Sequence, residues 1–270
     1  MNGASVDALG RRFAPARDAR IVSLVPSITE TLIDLDLREQ VVGRTGFCIH
    51  PREIVRDIVK VGGTKDVKLE AVRALRPTHV IVNIDENEAP TVEQLRSFVP
   101  HVIVTHPSAP ADNLALYRLL GSIFGRIDAA EALCARLQAQ LDALSAAHWP
   151  PETVLYLIWK GPWMTVAADT YIANTLAAVG WRVPHGAGGR AGAARYPQLA
   201  DLDAEVARVG RVLLSTEPFS FRERHAQQLR ERFPGRPVDL IDAEWTSWYG
   251  SRAIAGLARL AQFRRARLRR

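Results

Sequence analysis

Residues 128–151 read DAAEALCARLQAQLDALSAAHWPP, and the folding of this stretch decides the architecture of the 270-residue chain. Leu133, Leu137, Leu141 and Leu144 recur at helical spacing, so one face is apolar along about 20 residues, or ~30 Å of helix. Asp128 can accept from the first free backbone N–H groups, and Glu131, three residues on, completes the cap. Trp149-Pro150-Pro151 stops the helix, because proline lacks the N–H donor and clashes with the preceding turn. A separate helical pattern precedes it, from Asp112 to about Gly125, and no strand signal occurs from 112 to 147. With no glycine- or serine-rich linker sequence, the stretch predicts a rigid strut.

On either side of the strut, short β-rich runs alternate with helical patterns, which predicts α/β layers with parallel strands. The strand candidates before it are 21–25, 41–45, 80–83 and 102–105. Ser27 and Glu30 form an S-x-x-E capping box ahead of Ile28, Leu32 and Leu35, which share one helix face. Asp66 can cap a second helix carrying Leu69, Val72 and Leu75, ended before Pro77. After the strut, 154–159 is a near-continuous apolar run suited to a buried strand. A Gly161-Pro162 turn, a run at 163–167, a helix at 174–179 and strands at 212–215 and 238–241 follow. The expected fold class is therefore α/β, with two Rossmann-like lobes joined by a single long backbone helix. The expected parts are a disordered segment (1–19), a first lobe (20–110), a helical connector (111–149, its backbone helix about 128–147), a second lobe (150–263) and a basic tail (264–270).

Composition narrows the function classes. Apolar residues at 47% and charged residues at 24% are those of a globular protein. No apolar run approaches the ~18 residues that cross a bilayer. The first twenty residues hold no continuous apolar segment of the about 7–15 residues a secretory signal needs, which as written leaves a cytoplasmic location open. Cys48 and Cys134 have no short metal spacing and cannot make a disulfide framework, which fits a reducing compartment. The net charge is +6, but Arg264, Arg265, Arg267, Arg269 and Arg270 supply five of those charges. The nearly neutral body argues against nucleic acid as a partner, and the tail reads as a solvated helix end or a contact for acidic surfaces. The glycine-rich stretch GAGGRAG at 186–192 lacks the lysine and hydroxyl of a phosphate loop and reads as a surface loop.

In open α/β sheets ligands sit beyond the carboxyl ends of the strands, so the residues just past each strand are the candidate site. They are Phe47, Cys48 and His50; Thr64 and Lys65 in the turn before a helix; Glu86 and Asn87; then Glu217 and Phe219. Glu244, Trp245, Trp248 and Tyr249 follow the last strand. All six tryptophans lie between Trp149 and Trp248, with Trp159 and Trp163 flanking one turn. A flat, largely apolar ligand needs wide aromatic surfaces, whereas rings such as Trp149 and Trp181 read as core filling. Cys48 and His50 could place a thiolate and an imidazole near one metal, with Glu86 or Glu88 completing the set; a packed thiol is the commoner state of free cysteine. A Cys–His–carboxylate hydrolase would need a base oriented by a third group. No G-x-S-x-G elbow, H-E-x-x-H helix or phosphate loop is present, so catalysis is not expected.

The opening RIVSLVPSITETL (20–32), the Pro51 after Phe47-Cys48, VGGT at 61–64 and LEAVRALRPTHVIV at 69–82 resemble the helical-backbone metal receptors. This is the class of periplasmic binding proteins that includes the cobalamin-, haem- and siderophore-binding components of ABC importers. The likeness covers about residues 20–262, and residues 245–254 resemble the ligand-side loop of the cobalamin-binding member. The resemblance implies the class III periplasmic-binding-protein fold, and a monomeric, periplasmic, non-enzymatic receptor with no intrinsic cofactor. It would hold a cobalamin-like or other metal-chelate ligand in a cleft between the lobes and hand it to ABC permease and ATPase subunits. It further implies one surface carboxylate per lobe that docks on permease arginines, matched by Glu70 and, in the second lobe, Glu223. Phe47-Cys48-Ile49-His50 departs from the aromatic-rich turn of the cobalamin binder, which suits a ligand offering a metal to sulfur or nitrogen. The competing reading is an intracellular metal-handling protein or a Cys/His-dependent enzyme on the same scaffold.

Overall fold

The structure, a computed structural model, describes residues 5–184 and 194–268. The glycine-rich stretch 186–192 lies outside the described residues, as do Arg269 and Arg270. The chain divides into two compact units. The first comprises Met1–Pro107, Ala111–Gln138 and Tyr249–Arg252; the second comprises Ser108–Pro110, Ala139–Trp248 and Ala253–Arg270.

In the first unit a short hairpin, β1 (Ser5–Val6) and β2 (Arg12–Phe13), precedes β3 (Ile21–Ser23), α1 (Pro26–Asp34), β4 (Val41–Arg44), α2 (Arg52–Val55) and β5 (Val59–Lys60). Next come α3 (Leu69–Ala74), β6 (His79–Asn83), α4 (Ala89–Arg96), β7 (His101–Thr105) and α5 (Asp112–Phe124). The sheet is parallel, in the order β5-β4-β3-β6-β7. Every residue of β3 and β6 is buried, as expected of strands covered on both faces. Val22, Leu24, Val72, Val80, Leu95 and Val102 join strands and helices in one core. The long helix α6 (Ile127–Ser145) starts in this unit, and the unit boundary falls at Gln138. Leu133, Leu137 and Leu144 of its predicted stripe are buried, and Leu141 is half-buried.

The second unit holds β8 (Glu152–Leu157), α7 (Tyr171–Ala177), β9 (Trp181–Arg182), α8 (Leu202–Ala207), β10 (Arg211–Ser215), α9 (Glu223–Arg232), β11 (Val238–Ile241) and most of α10 (Arg252–Leu268). Its sheet is also parallel, in the order β11-β10-β8-β9. Leu155, Leu157, Val206, Val212, Leu214 and Phe221 make its core.

Several local expectations are corrected. Ser27 does not cap α1: the helix begins a residue earlier at Pro26, whose fixed φ and missing N–H suit a first turn, and Ser27 is buried. Glu30 instead makes a two-pronged ion pair with Arg252, at 2.6 and 2.7 Å. Asp66 lies outside α3, which is entered through Lys68, and its carbonyl accepts from Gly63 N at 2.8 Å. Glu131 turns to Arg118 of α5 rather than back to a helix cap. The run 163–167 is no strand; only Met164 bridges, to Trp159 and to Gln198.

Residues 5–19 are not structureless. Buried Asp7 accepts from Leu9 and Arg11 N–H and from Val104 N–H of β7, which fastens the hairpin to the sheet. Nor are Arg264 and Arg267 of the basic tail simply solvated. Arg264 is 2% exposed, ion-paired with Glu152 and bonded to the Pro150 carbonyl, and Arg267 pairs with Asp239 at 3.2 Å.

Candidate functional site

Strand order locates the candidate site within each unit. In the first sheet the chain winds outward from β3 through β4 and β5, then from β6 to β7, so the winding reverses between β3 and β6. In the second it reverses at β8, which has β9 on one side and β10 on the other. Adjacent connections leave opposite faces of the sheet at such a point and open a crevice at the strands' carboxyl ends.

In the first unit three loops meet at this edge. Gly46 N donates to the Gly62 carbonyl at 2.7 Å, and a Cβ added at Gly63 would stand 3.3 Å from the ring of Phe47. Asn87, 7% exposed, accepts from Asn83 N at 2.9 Å and donates to the carbonyls of Thr64 at 2.8 Å and Leu24 at 3.3 Å. It therefore spans the β3–β6 reversal and ties in the turn at Thr64, and its polar atoms are spent on that structural work. Phe47, at 62%, and Ile49, at 47%, are left exposed, and so is Lys65.

Glu86 differs from its neighbour Asn87. Half-buried, it accepts from the Tyr249 hydroxyl at 2.8 Å, and burial, reinforced by Asp85, pushes its carboxyl up to about 7 although the hydrogen bond opposes the shift. The same burial and the Glu86 charge raise the buried Tyr249 phenol well above its usual value. Glu86 and Tyr249, far apart in sequence, are thus brought together. Cys48 is not available as expected. Fully buried, its sulfur lies 3.0 Å from Thr29 Oγ1 and 3.1 Å from Thr45 Oγ1, and burial pushes its thiol up. A protonated thiol turned into the core offers no thiolate beside half-buried His50. Among the described residues no group of three or more His, Cys, Asp or Glu side chains could hold a metal ion.

In the second unit the crevice is lined by rings. Trp159, two residues past β8 and 39% exposed, meets Phe219 edge to face at 5.6 Å. Phe219 meets Phe221 at 4.6 Å, Trp163 stacks on Phe221 at 6.1 Å, and His225 closes the group from α9. Phe219 N donates to the Ile158 carbonyl at 3.3 Å, which joins the loops beyond β8 and β10. Phe221 and His225 escaped the sequence reading, which followed strand ends only; the F-S-F spacing of Phe219 and Phe221 was the available signal.

The loop after β11 is positioned from below. The buried Tyr156 hydroxyl, its acidity suppressed to about 12 by burial, lies 3.0 Å from Ser215 Oγ and 2.6 Å from Thr246 Oγ1. Trp248 is 7% exposed and donates to exposed Glu217 at 3.1 Å. Trp245 turns to Phe263 of α10, with ring centres 5.7 Å apart. Both serve packing more than the open aromatic face expected of them.

The periplasmic binding protein family profile matches residues 21–197. The chain belongs to this family. The resemblance read from the sequence is borne out, and so is the fold class. A vitamin B12-binding protein of Vibrio campbellii is 24% identical over 238 residues, covering 87% of this chain and 78% of that protein. Among solved structures, the periplasmic vitamin B12-binding protein of Vibrio cholerae superposes with a TM-score of 0.74 at 15% identity, covering 94% of this chain and 99% of the other. The periplasmic haem-binding protein of Roseiflexus sp. RS-1 gives 0.73 at 24% identity, covering 92% and 98%. No helix among the described residues is long and apolar enough to cross a membrane.

Proposed function

We propose that the chain is the substrate-binding component of an ABC importer, and that it captures a cobalamin-like or other metal-chelate ligand without chemistry of its own. The observation that carries this reading is the Trp159–Phe219 pair at the winding reversal of the second sheet. A part-exposed indole backed by a ring cluster is a rigid, flat, apolar surface, and a macrocyclic chelate is a flat ligand. The names of the relatives, which bind vitamin B12 or haem, support the same ligand class. In the first unit the residues expected to meet the ligand are Phe47, His50, Thr64, Lys65 and Glu86. Those in the second are Trp159, Trp163, Glu217 and Phe219. A carboxyl that is half protonated near neutral pH lets Glu86 donate as well as accept toward a ligand amide or carboxylate.

The protein would act in the periplasm and dock through Glu70 and Glu223 on permease arginines. Both side chains are largely exposed, at 86% and 68%, and among the described residues each is bound only by an arginine of its own helix. Such pairs exchange partners at little cost. The enzyme reading is disfavoured by the core position of the Cys48 thiol.

Titration with cyanocobalamin, haemin and a ferric siderophore, followed by tryptophan fluorescence, tests the proposal. Saturable quenching by at least one of them, with affinity weakened about tenfold or more in Trp159→Ala, is expected. Absence of saturable binding by all three would overturn it.

A further inference from the structure

The opposite, amino-terminal edge of the second sheet carries a cavity of about 520 Å³ lined by Arg211, Arg230, Arg236, Asp239 and Arg267. Four guanidinium groups around one carboxylate are more than ion pairing or helix ends require. Arg230 and Arg267 lie in the last turns of α9 and α10, where a cation complements the helix dipole. Arg211 opens β10 and Arg236 lies in the loop before β11, so helix ends do not explain them.

The charges can be followed pair by pair. Asp239 gives one oxygen to Arg211 and the other to Arg267. Glu152, at the start of β8, takes Arg211 and Arg264. Arg230 donates twice to the Val238 carbonyl, at 3.0 and 2.7 Å, and pairs with Glu223. The half-buried Arg236 guanidinium has no acidic partner among the described residues. Among the described residues five arginines therefore face three carboxylates, and Arg264 Nε is buried without a hydrogen-bond partner. The surplus positive charge sits on a concave wall, where low-dielectric surroundings focus the field and raise the local concentration of anions. Planar, already oriented guanidinium forks match the oxygens of phosphate better than those of a monodentate anion.

We infer that this cavity is a second binding site, separate from the strand-end surface, that takes a phosphate-bearing anion with Arg236 as its first contact. A free phosphoanion and a phospholipid headgroup share that chemistry, and the experiment separates them. The whole protein is titrated with inorganic pyrophosphate at low ionic strength by calorimetry. In parallel it is sedimented with vesicles of phosphatidylglycerol and phosphatidylcholine, or of phosphatidylcholine alone. Saturable binding is expected, weakened by about tenfold or more in Arg236→Glu and less in Arg236→Ala, and steeply reduced by salt. Pyrophosphate binding identifies the free anion, and sedimentation confined to the anionic vesicles identifies the headgroup. Circular dichroism checks that the variants fold, and their unchanged cyanocobalamin or haemin titration keeps this site distinct from the proposed function. No saturable binding of either probe, or binding that Arg236→Glu leaves unaltered, overturns the inference.

Discussion

The loops beyond the strands are tied down by different means in the two units. In the first unit the ties are polar and turned inward: Asn87 bridges three backbone groups, Thr29 and Thr45 bracket the Cys48 sulfur, and Tyr249 holds Glu86. In the second the ties are rings: Trp159, Phe219, Phe221 and Trp163 hold one another. A hydrogen bond consumes the groups that form it, so the first unit spends much of its strand-end chemistry on holding itself together. A ring touching a neighbour by its edge keeps a face for something else, so the second unit can be both fixed and receptive.

Phe221→Ala removes the 2%-exposed ring at the base of the aromatic group and is expected to cost about 3–4 kcal/mol in urea unfolding. A loss below about 1 kcal/mol would mean that the rings do not hold this region. Asn87→Ala strands one N–H and two carbonyls, and a loss of about 2–3 kcal/mol is expected, with ligand affinity falling only as far as the loop shifts.

Glu86 gives a pH-dependent effect. Its carboxyl is raised from 4.5 to about 7, so the folded protein holds this proton where the unfolded chain has lost it. The resulting stability is present below pH 4.5 and is lost as pH rises to about 7, by roughly 1–3 kcal/mol. His79 runs the other way: burial, reinforced by His101, lowers it from 6.5 to about 4, so its contribution is lost as pH falls through that range. The readout is therefore the difference between wild type and Glu86→Gln. Wild type should lose stability relative to the variant across pH 4.5–7, and a flat difference would show that Glu86 is not buried as described. The smallest stability effect is expected of Trp159→Ala, under about 1 kcal/mol for a ring 39% exposed, together with a loss of about tenfold or more in ligand affinity. A large stability loss with affinity intact would invert the comparison.

Alternation of strand and helix was legible because each parallel strand is a buried apolar run and each helix carries its own stripe. Which side chain after a strand faces outward was not. Cys48 and Asn87 stand where a ligand residue would, and their inward turn depends on Thr29, Thr45 and Leu24, supplied by other elements. The roles of Glu30 and Arg264 rest on partners 222 and 112 residues away in sequence, beyond any local pattern. The hairpin strands span two residues each, too few to show a period, and Asp7 does the fastening.

Gly250 sits within Tyr249–Arg252, the short segment assigned to the first unit. Its φ is +70°, a Cβ there would collide with Thr31 Oγ1, and its N–H and carbonyl are bound by Asn113 and Tyr117. With Arg252 on Glu30 and Ser251 N on Thr31, these four residues are fitted into a body built otherwise from residues up to Gln138. A nascent chain therefore cannot finish its first unit in the order in which it is made. While the ribosome adds residues 139–248, the niche for Tyr249–Arg252 stays unfilled, and the half made first closes only after the half made second has been synthesised.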